Sequence, residues 1–319
     1  MARIPSGTLE DVGEFGLLAE LASRFGQGGS VVVGPGDDAA VVQTGGLVVA
    51  STDLFVQDRH FRLDWSSAGD IGHKAAAASL SDVNAMGGHP TALLVGFGAP
   101  ARLEVGWALE FADALADEAA SVGASIVGGD LTQADRITVS VTVLGECPHG
   151  AVLRSGARPG DVLAHAGLQG WADAGYAVLA RGFKAPRVVV EAHRRPRPPY
   201  GAGAQAALLG ATAMIDVSDG LLQDLGHIAT ASAVAIDVTS SAFETPEPLQ
   251  QVGAALGVDP ERLILTGGDD YGLLATFPPD VAPPDSWRVV GRVVAADDAG
   301  AVSVDGQPYD DPSGHRHFS

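Results

Sequence analysis

Acids set beside glycine, serine or threonine recur along this chain. Six short segments carry them: Gly36-Asp37-Asp38, Ser51-Thr52-Asp53, Ser81-Asp82, Gly128-Gly129-Asp130, Asp216-Val217-Ser218-Asp219-Gly220 and Gly267-Gly268-Asp269-Asp270. Carboxylates on turns can converge on magnesium, which takes oxygen ligands in near-octahedral array and keeps several waters. Hydroxyls add neutral oxygens, and small neighbours let a triphosphate approach the backbone. Such a site suits phosphoryl transfer, where catalysis is mostly positioning and electrostatics. Taken singly, each segment is also ordinary turn chemistry, because Asp bonds its own backbone and tolerates the left-handed region. Six of them, spread over both halves, form a pattern that single turns do not.

The cations that handle phosphate elsewhere are missing. Lys74 and Lys184 are the only lysines, and neither sits in a G-x-x-x-x-G-K-[ST] loop, a V-A-I-K strand or near an H-R-D loop. Metals or arginines must then supply the positive charge. No side-chain nucleophile with a paired base is visible, so direct in-line attack on the γ-phosphorus is the simpler mechanism. Cys147 is the single cysteine, which excludes an intramolecular disulfide and cysteine-type zinc clusters. A non-enzymatic, acidic cation-binding module is a further reading, although no D-x-[DN]-x-[DN]-G calcium loop is present.

Over the whole chain acids are in excess, which an acidic, soluble surface explains by itself and which bound cations would also suit. Its 319 residues carry 39 acids against 19 bases, a formal net charge of -20. That surface repels phosphate backbones, so no nucleic-acid partner is expected. No apolar run approaches the ~18 residues that span a bilayer, so no membrane association is expected. The start lacks a basic segment followed by an apolar one, and a cytoplasmic protein is expected.

Elements must position the acids. Val31 to Val33 runs into Gly34-Pro35-Gly36-Asp37-Asp38. Ala39 to Val42 and Leu47 to Ser51 flank Gln43-Thr44-Gly45-Gly46, which predicts a β-hairpin. Asp70 to Met86 reads as a helix stopped by Gly87-Gly88, and Glu104 to Val122 as a second helix. Within the first, Ile71, Ala75, Ala78 and Asp82 share one face. Asp82 there wants a buried partner such as a cation, or else the helix breaks near Ser79 and Asp82 caps a new start. Ile126-Val127 predicts a short strand into a Gly128-Gly129-Asp130 turn, and Ile137 to Gly145 a strand with one wet face. Further on, Trp171 to Arg181, Ala202 to Leu209, Leu221 to Ala231 and Pro248 to Leu256 read as helices. Ala213 to Asp216, Val234 to Val238 and Trp287 to Val294 read as strands. Strands and helices do not alternate strictly, so the fold class is α+β, with domains 1–148 and 149–319.

The segments in this order resemble the thiamine-monophosphate kinases nearly end to end. The resemblance rests on Gly13-Glu14-Phe15, G-D-D-A-A-V from Gly36, S-T-D from Ser51 and S-D-V-N-A-M-G-G from Ser81. It continues through G-G-D from Gly128, the Arg154 to Asp161 turn, D-V-S-D-G-L from Asp216 and G-G-D-D-Y from Gly267. It implies ATP- and magnesium-dependent phosphorylation of thiamine monophosphate to thiamine diphosphate. It also implies a homodimer with the two-domain fold of aminoimidazole ribonucleotide synthetase, its mixed and antiparallel sheets flanked by helices. By position, Asp38, Ser51, Thr52, Asp53, Asp82, Asp130, Asp216 and Asp219 would bind metal. Gly129, Asp130, Arg154 and Ser218 would contact ATP, and His60 and Asp269 the thiamine phosphate. Without the resemblance, His60 reads as a surface histidine and Arg154 as a solvated charge.

Two positions depart from the family pattern. The family usually reads G-G-E-D-Y-E-L, where this chain has Asp269 and Gly272. Its terminal pattern has an aromatic residue where His315 stands. A sibling synthetase or cyclo-ligase of the same fold is the alternative enzyme. The reactive N-terminal cysteine of a selenide-activating synthetase and the terminal cysteine of a carbamoyl-handling maturation factor are both absent.

Overall fold

The computed structural model describes residues 7–35, 39–296, 300–309 and 314–315. The chain forms two compact units, Met1–Val83 with His89–Glu146, and Asn84–Gly88 with Cys147–Ser319.

The first unit runs α1 (Leu9–Arg24), β1 (Val31–Val33), β2 (Val41–Val42), β3 (Val48–Val56), α2 (Ala68–Ala85), β4 (His89–Ala99), α3 (Val105–Ser121), β5 (Ser125–Gln133) and β6 (Thr138–Glu146), the last two residues of α2 grouping with the other unit. A four-stranded sheet has the order β3-β6-β4-β5. Only β4 and β5 are parallel, joined through α3. Val139, Val141 and Val143 are fully buried and face Phe55, Leu93 and Phe97 on one side of the sheet. The alternate residues, Thr52, Leu54, Leu94, Ser140 and Thr142, lie on the other side and are exposed or half-buried. α2 covers the buried side with small residues, Ala75 to Ala77 being wholly inaccessible. Its Gly72 lies against the Phe111 carbonyl of α3, where a Cβ would come within 2.1 Å. That approach is why the helix carries so little side-chain bulk.

The predicted hairpin over Ala39 to Ser51 does not form. β2 pairs with β1 instead. β3 runs nine residues alongside β6, from Val48 opposite Glu146 to Val56 opposite Thr138. A ladder of that length outweighs a local turn, and the Glu146 carboxylate also takes the Gly45 amide at 2.6 Å. Gly128-Gly129-Asp130 is likewise no turn, because β5 continues through it to Gln133.

The second unit runs β7 (Val162–Ala166), α4 (Trp171–Ala180), α5 (Arg187–Arg194), α6 (Ala202–Leu208), β8 (Ala213–Asp216), α7 (Leu221–Ser232), β9 (Ala235–Val238), α8 (Glu247–Leu256), α9 (Pro260–Thr266), β10 (Leu273–Phe277), β11 (Arg288–Val294), β12 (Val302–Val304) and β13 (Gln307–Pro308). Seven strands form one sheet, β13-β12-β9-β11-β7-β10-β8. All pairs are antiparallel except β12 with β9. Both faces are covered. Leu163, Ile215 and Leu274 pack with Leu225 and Ile228 of α7 on one side. Ala164, Met214 and Ala275 pack with Ala202 and Ala206 of α6 on the other. Hence all five residues of β10 are buried, as a two-sided strand requires. Leu263 to Leu265 belongs to helix α9, which Asp259 caps by accepting the Glu261 amide at 2.9 Å.

Candidate active site

In the first unit, β3 and α2 bring Ser51, Asp53 and Asp82 together. α2 is continuous through Ser79, so Asp82 is a mid-helix residue and not a cap. The Ser51 hydroxyl donates to Asp82 at 2.5 Å. In return the Ser79 hydroxyl of α2 donates to Asp53 of β3 at 2.6 Å. Each carboxylate is thus held by a serine from the opposite element. Burial raises the Asp53 carboxyl above its ordinary range, against the pull of the Ser79 bond and of His60 nearby. His60 sits in the turn after β3, where its Nδ1 accepts the Val56 amide at 3.0 Å. Its ring meets Phe55 edge-on, with centroids 5.9 Å apart.

Alternation along β3 sends Thr52 to the opposite side from Asp53. There the Thr52 and Thr142 hydroxyl oxygens lie 3.0 Å apart. Asp130 of β5 pairs with Gly96, which pairs with Ser140, so Asp130 shares the exposed side with Thr52. Gly129 is the residue that lets β5 pass, since a Cβ there would fall 2.0 Å from the Val95 carbonyl oxygen. The candidate ligands of this unit therefore divide between the two sides of one sheet. Asp38 lies outside the described residues.

In the second unit, three segments meet around Asp219. β8 ends at Asp216, which is 5% exposed. The chain then loops through Ser218 and Asp219 into α7. The Asp269 amide donates to the Ser218 carbonyl at 2.9 Å, and the Tyr271 amide to the Val217 carbonyl at 3.0 Å. His315 donates its amide to the Asp219 carbonyl at 2.9 Å. Gln223 of α7 clamps that junction, donating to the Asp219 carboxylate at 3.2 Å and to the His315 carbonyl at 2.8 Å. Ser218, Asp219, Asp269 and His315 are accordingly neighbours, as three widely separated stretches of sequence could not announce. Asp269 has φ of +64° and takes a hydrogen bond from the Tyr271 hydroxyl at 3.2 Å. Arg154 is exposed, and its carbonyl is tied to the Ser232 hydroxyl at 3.1 Å at the end of α7.

Further buried polar residues support these segments, and of them only Asp270 lies in a segment the sequence singled out. Asp224 accepts the amides of Ser218, Asp219 and Gly220 on one oxygen, at 3.0, 3.1 and 3.1 Å. Burial pushes its carboxyl up to about 7 against those donors. Asp270 caps α4 through the Trp171 and Ala172 amides, at 3.0 and 2.9 Å, and burial pushes it also to about 7. Asp173 is raised to about 6 by burial and by Asp269 beside it. His165 is held down to about 4 by burial, with Arg288 adding to the effect. Its Nε2 stands 2.7 Å from where a Cβ on Gly272 would be, with the Ala166 and Leu168 carbonyl oxygens at 2.9 and 3.0 Å. A signal for Asp224 existed, since an acid in the first turn of a helix sits where amides point. Ser79 had none beyond lying three residues before Asp82.

The donor set fits magnesium. Among the described residues no three His, Cys, Asp or Glu side chains gather closely enough to hold an ion unaided. Magnesium does not ask for that, being commonly bound by one or two carboxylates with substrate phosphates and waters. Paired carboxylates with hydroxyl neighbours, all oxygen, suit it.

Residues 36–147 match the family described as AIR synthase related protein, N-terminal domain. The chain is 46% identical to the thiamine-monophosphate kinase of Mycobacterium tuberculosis strain H37Rv over 317 residues, 98% of this chain and 94% of that one. Its fold is similar to the crystal structure of the thiamine-monophosphate kinase from Stenotrophomonas maltophilia K279a, with a TM-score of 0.81 and 30% identity over 93% of this chain and 98% of that chain. A structure described as AaThiL complexed with AMPPCP and TMP is similar at a TM-score of 0.77 and 28% identity, covering 97% and 98%. At 46% identity over almost its full length, the chain belongs to the thiamine-monophosphate kinase family, phosphotransferases whose acceptor is itself a phosphate group.

Proposed function

We propose that this chain transfers the γ-phosphoryl group of ATP to thiamine monophosphate, giving thiamine diphosphate and ADP. A phosphate oxygen of the acceptor attacks the γ-phosphorus in line, and the bond from that phosphorus to the bridging oxygen breaks. The observation that carries the reading is the crossed pairing of Ser51 with Asp82 and Ser79 with Asp53, in a chain 46% identical to a kinase of this kind. Two carboxylates with hydroxyl neighbours are an oxygen-only cation cradle in a chain without a phosphate-binding lysine motif.

Asp38, Ser51, Thr52, Asp53, Asp82, Asp130, Asp216 and Asp219 hold magnesium in this reading. The ion neutralises charge on the phosphate oxygens. The division of Thr52 and Asp130 from Ser51, Asp53 and Asp82 supports more than one ion. Gly129, Asp130, Arg154 and Ser218 contact ATP. His60 and Asp269 contact the thiamine phosphate, with Asp173 adding negative charge beside Asp269 toward the cationic thiazolium. The described residues contain no helix long and apolar enough to cross a membrane, and we place the enzyme in the cytoplasm. A second copy of the chain covers the exposed side of the β3-β6-β4-β5 sheet.

Purified protein with ATP, magnesium and thiamine monophosphate should form thiamine diphosphate. Product from free thiamine alone, or none from either acceptor, would sink the assignment.

A further inference from the structure

The loop Val217–Gly220 is fixed from both of its polar sides. Its carbonyls face outward, Val217 to Tyr271, Ser218 to Asp269 and Asp219 to His315. Its amides from Ser218 to Gly220 converge on a single oxygen of Asp224, which is 2% exposed. Gly220 has φ of +142°, which lets the third amide turn toward the same point. Three successive amides at the start of a helix ordinarily form a cradle for phosphate. Here the protein's own carboxylate fills it.

We infer that Asp224 is a positioning residue that locks this loop, aiming Ser218 and Asp219 outward and closing the amide cradle to phosphate. With the amides occupied, the loop offers hydroxyl and carboxylate oxygens, so it receives nucleotide through cations. The inference rests on the proposed roles of Ser218 and Asp219, whereas the lock itself does not.

Three variants separate acceptor from charge. Asp224→Asn keeps a carbonyl oxygen where the three amides point. Asp224→Ala removes it, and Asp224→Glu keeps the charge but displaces the oxygen by a methylene. Hydrogen exchange of the 217–221 segment reads the lock, and calorimetry with magnesium and AMPPCP reads its consequence. The Asn variant should keep slow exchange and near-parent AMPPCP affinity. The Ala and Glu variants should exchange fast there and lose at least about tenfold in affinity. If Ala does not fold, the contrast of Glu with Asn decides the matter. An Asn variant as impaired as Ala or Glu overturns the inference, because the carboxylate charge would then matter and not the acceptor. Parent-like exchange and affinity in both Ala and Glu overturn it as well. If the exchange contrast holds while the parent makes no thiamine diphosphate, the functional reading fails and the lock stands.

Discussion

Ser51 and Ser79 each give a hydroxyl to the carboxylate carried by the other's element, so neither Asp53 nor Asp82 keeps its direction alone. Ser79 is fully buried, and Ser79→Ala leaves an acceptor without its donor. The variant should lose about 1–3 kcal/mol in urea unfolding. It should also bind magnesium more weakly by about tenfold in a titration with AMPPCP. Unchanged affinity would remove Asp53 from the ligand set. His165 offers a test by pH. Its folded value, about 4, lies below the ordinary 6.5, so between them the unfolded chain binds the extra proton. Its contribution is neutral above pH 6.5 and turns unfavourable as pH falls toward 4. The stability gap between parent and His165→Gln should shift toward the variant by roughly 3 kcal/mol over that window. Denaturant midpoints at the two pH values check it, and a constant gap refutes it. At this scale the sequence announced the acids and not their holders. Asp82 was readable on its helix face, because helical spacing is local. Ser79 and Asp224 act through partners fixed only by folding.

The misread elements share one physical cause. Local chemistry around Gly128-Gly129-Asp130 favours a turn, because glycine weakens strands. The parallel partner β4 wins, and only a residue without a Cβ fits beside Val95. Gly129→Ala should therefore cost about 2–4 kcal/mol, measured by thermal or urea unfolding. Parent-like stability would mean that β5 does not pass there as described. The absent hairpin of Ala39 to Ser51 is the same lesson, since turn residues advertised a neighbour and the long ladder to β6 took the strand. α2, α3, α4 and α7 were legible within a residue or two, because period and glycine stops are written locally. β4 was missed because Leu93, Leu94 and Val95 put apolar side chains on both faces, the exposed one included, and so hide alternation.

For the molecule as a whole, an order of weak motifs carried the family, while sheet order and register came only from folding. Neither the order β3-β6-β4-β5 nor the split of the ligand candidates between its two sides follows from spacing. That split has a consequence for assembly. Leu54 and Leu94 are 56% and 38% exposed on the side that carries Thr52 and Asp130. Leu54→Lys should shift the protein toward monomer in sedimentation while its stability changes by no more than about 0.5 kcal/mol. A parent that sediments as a monomer, or a variant that stays dimeric, refutes self-association through this side.

Gly272 shows how neighbours narrow a sequence's choices. A glutamate is usual at this position in the family, yet any side chain here meets His165 and two backbone oxygens at once. A glutamate at 272 is therefore not one mutation away. A smaller residue at 165 and a shift of the stretch through Leu168 are both needed for a glutamate to fit there. The glycine is held in place by its neighbours, and its replacement is coupled to theirs.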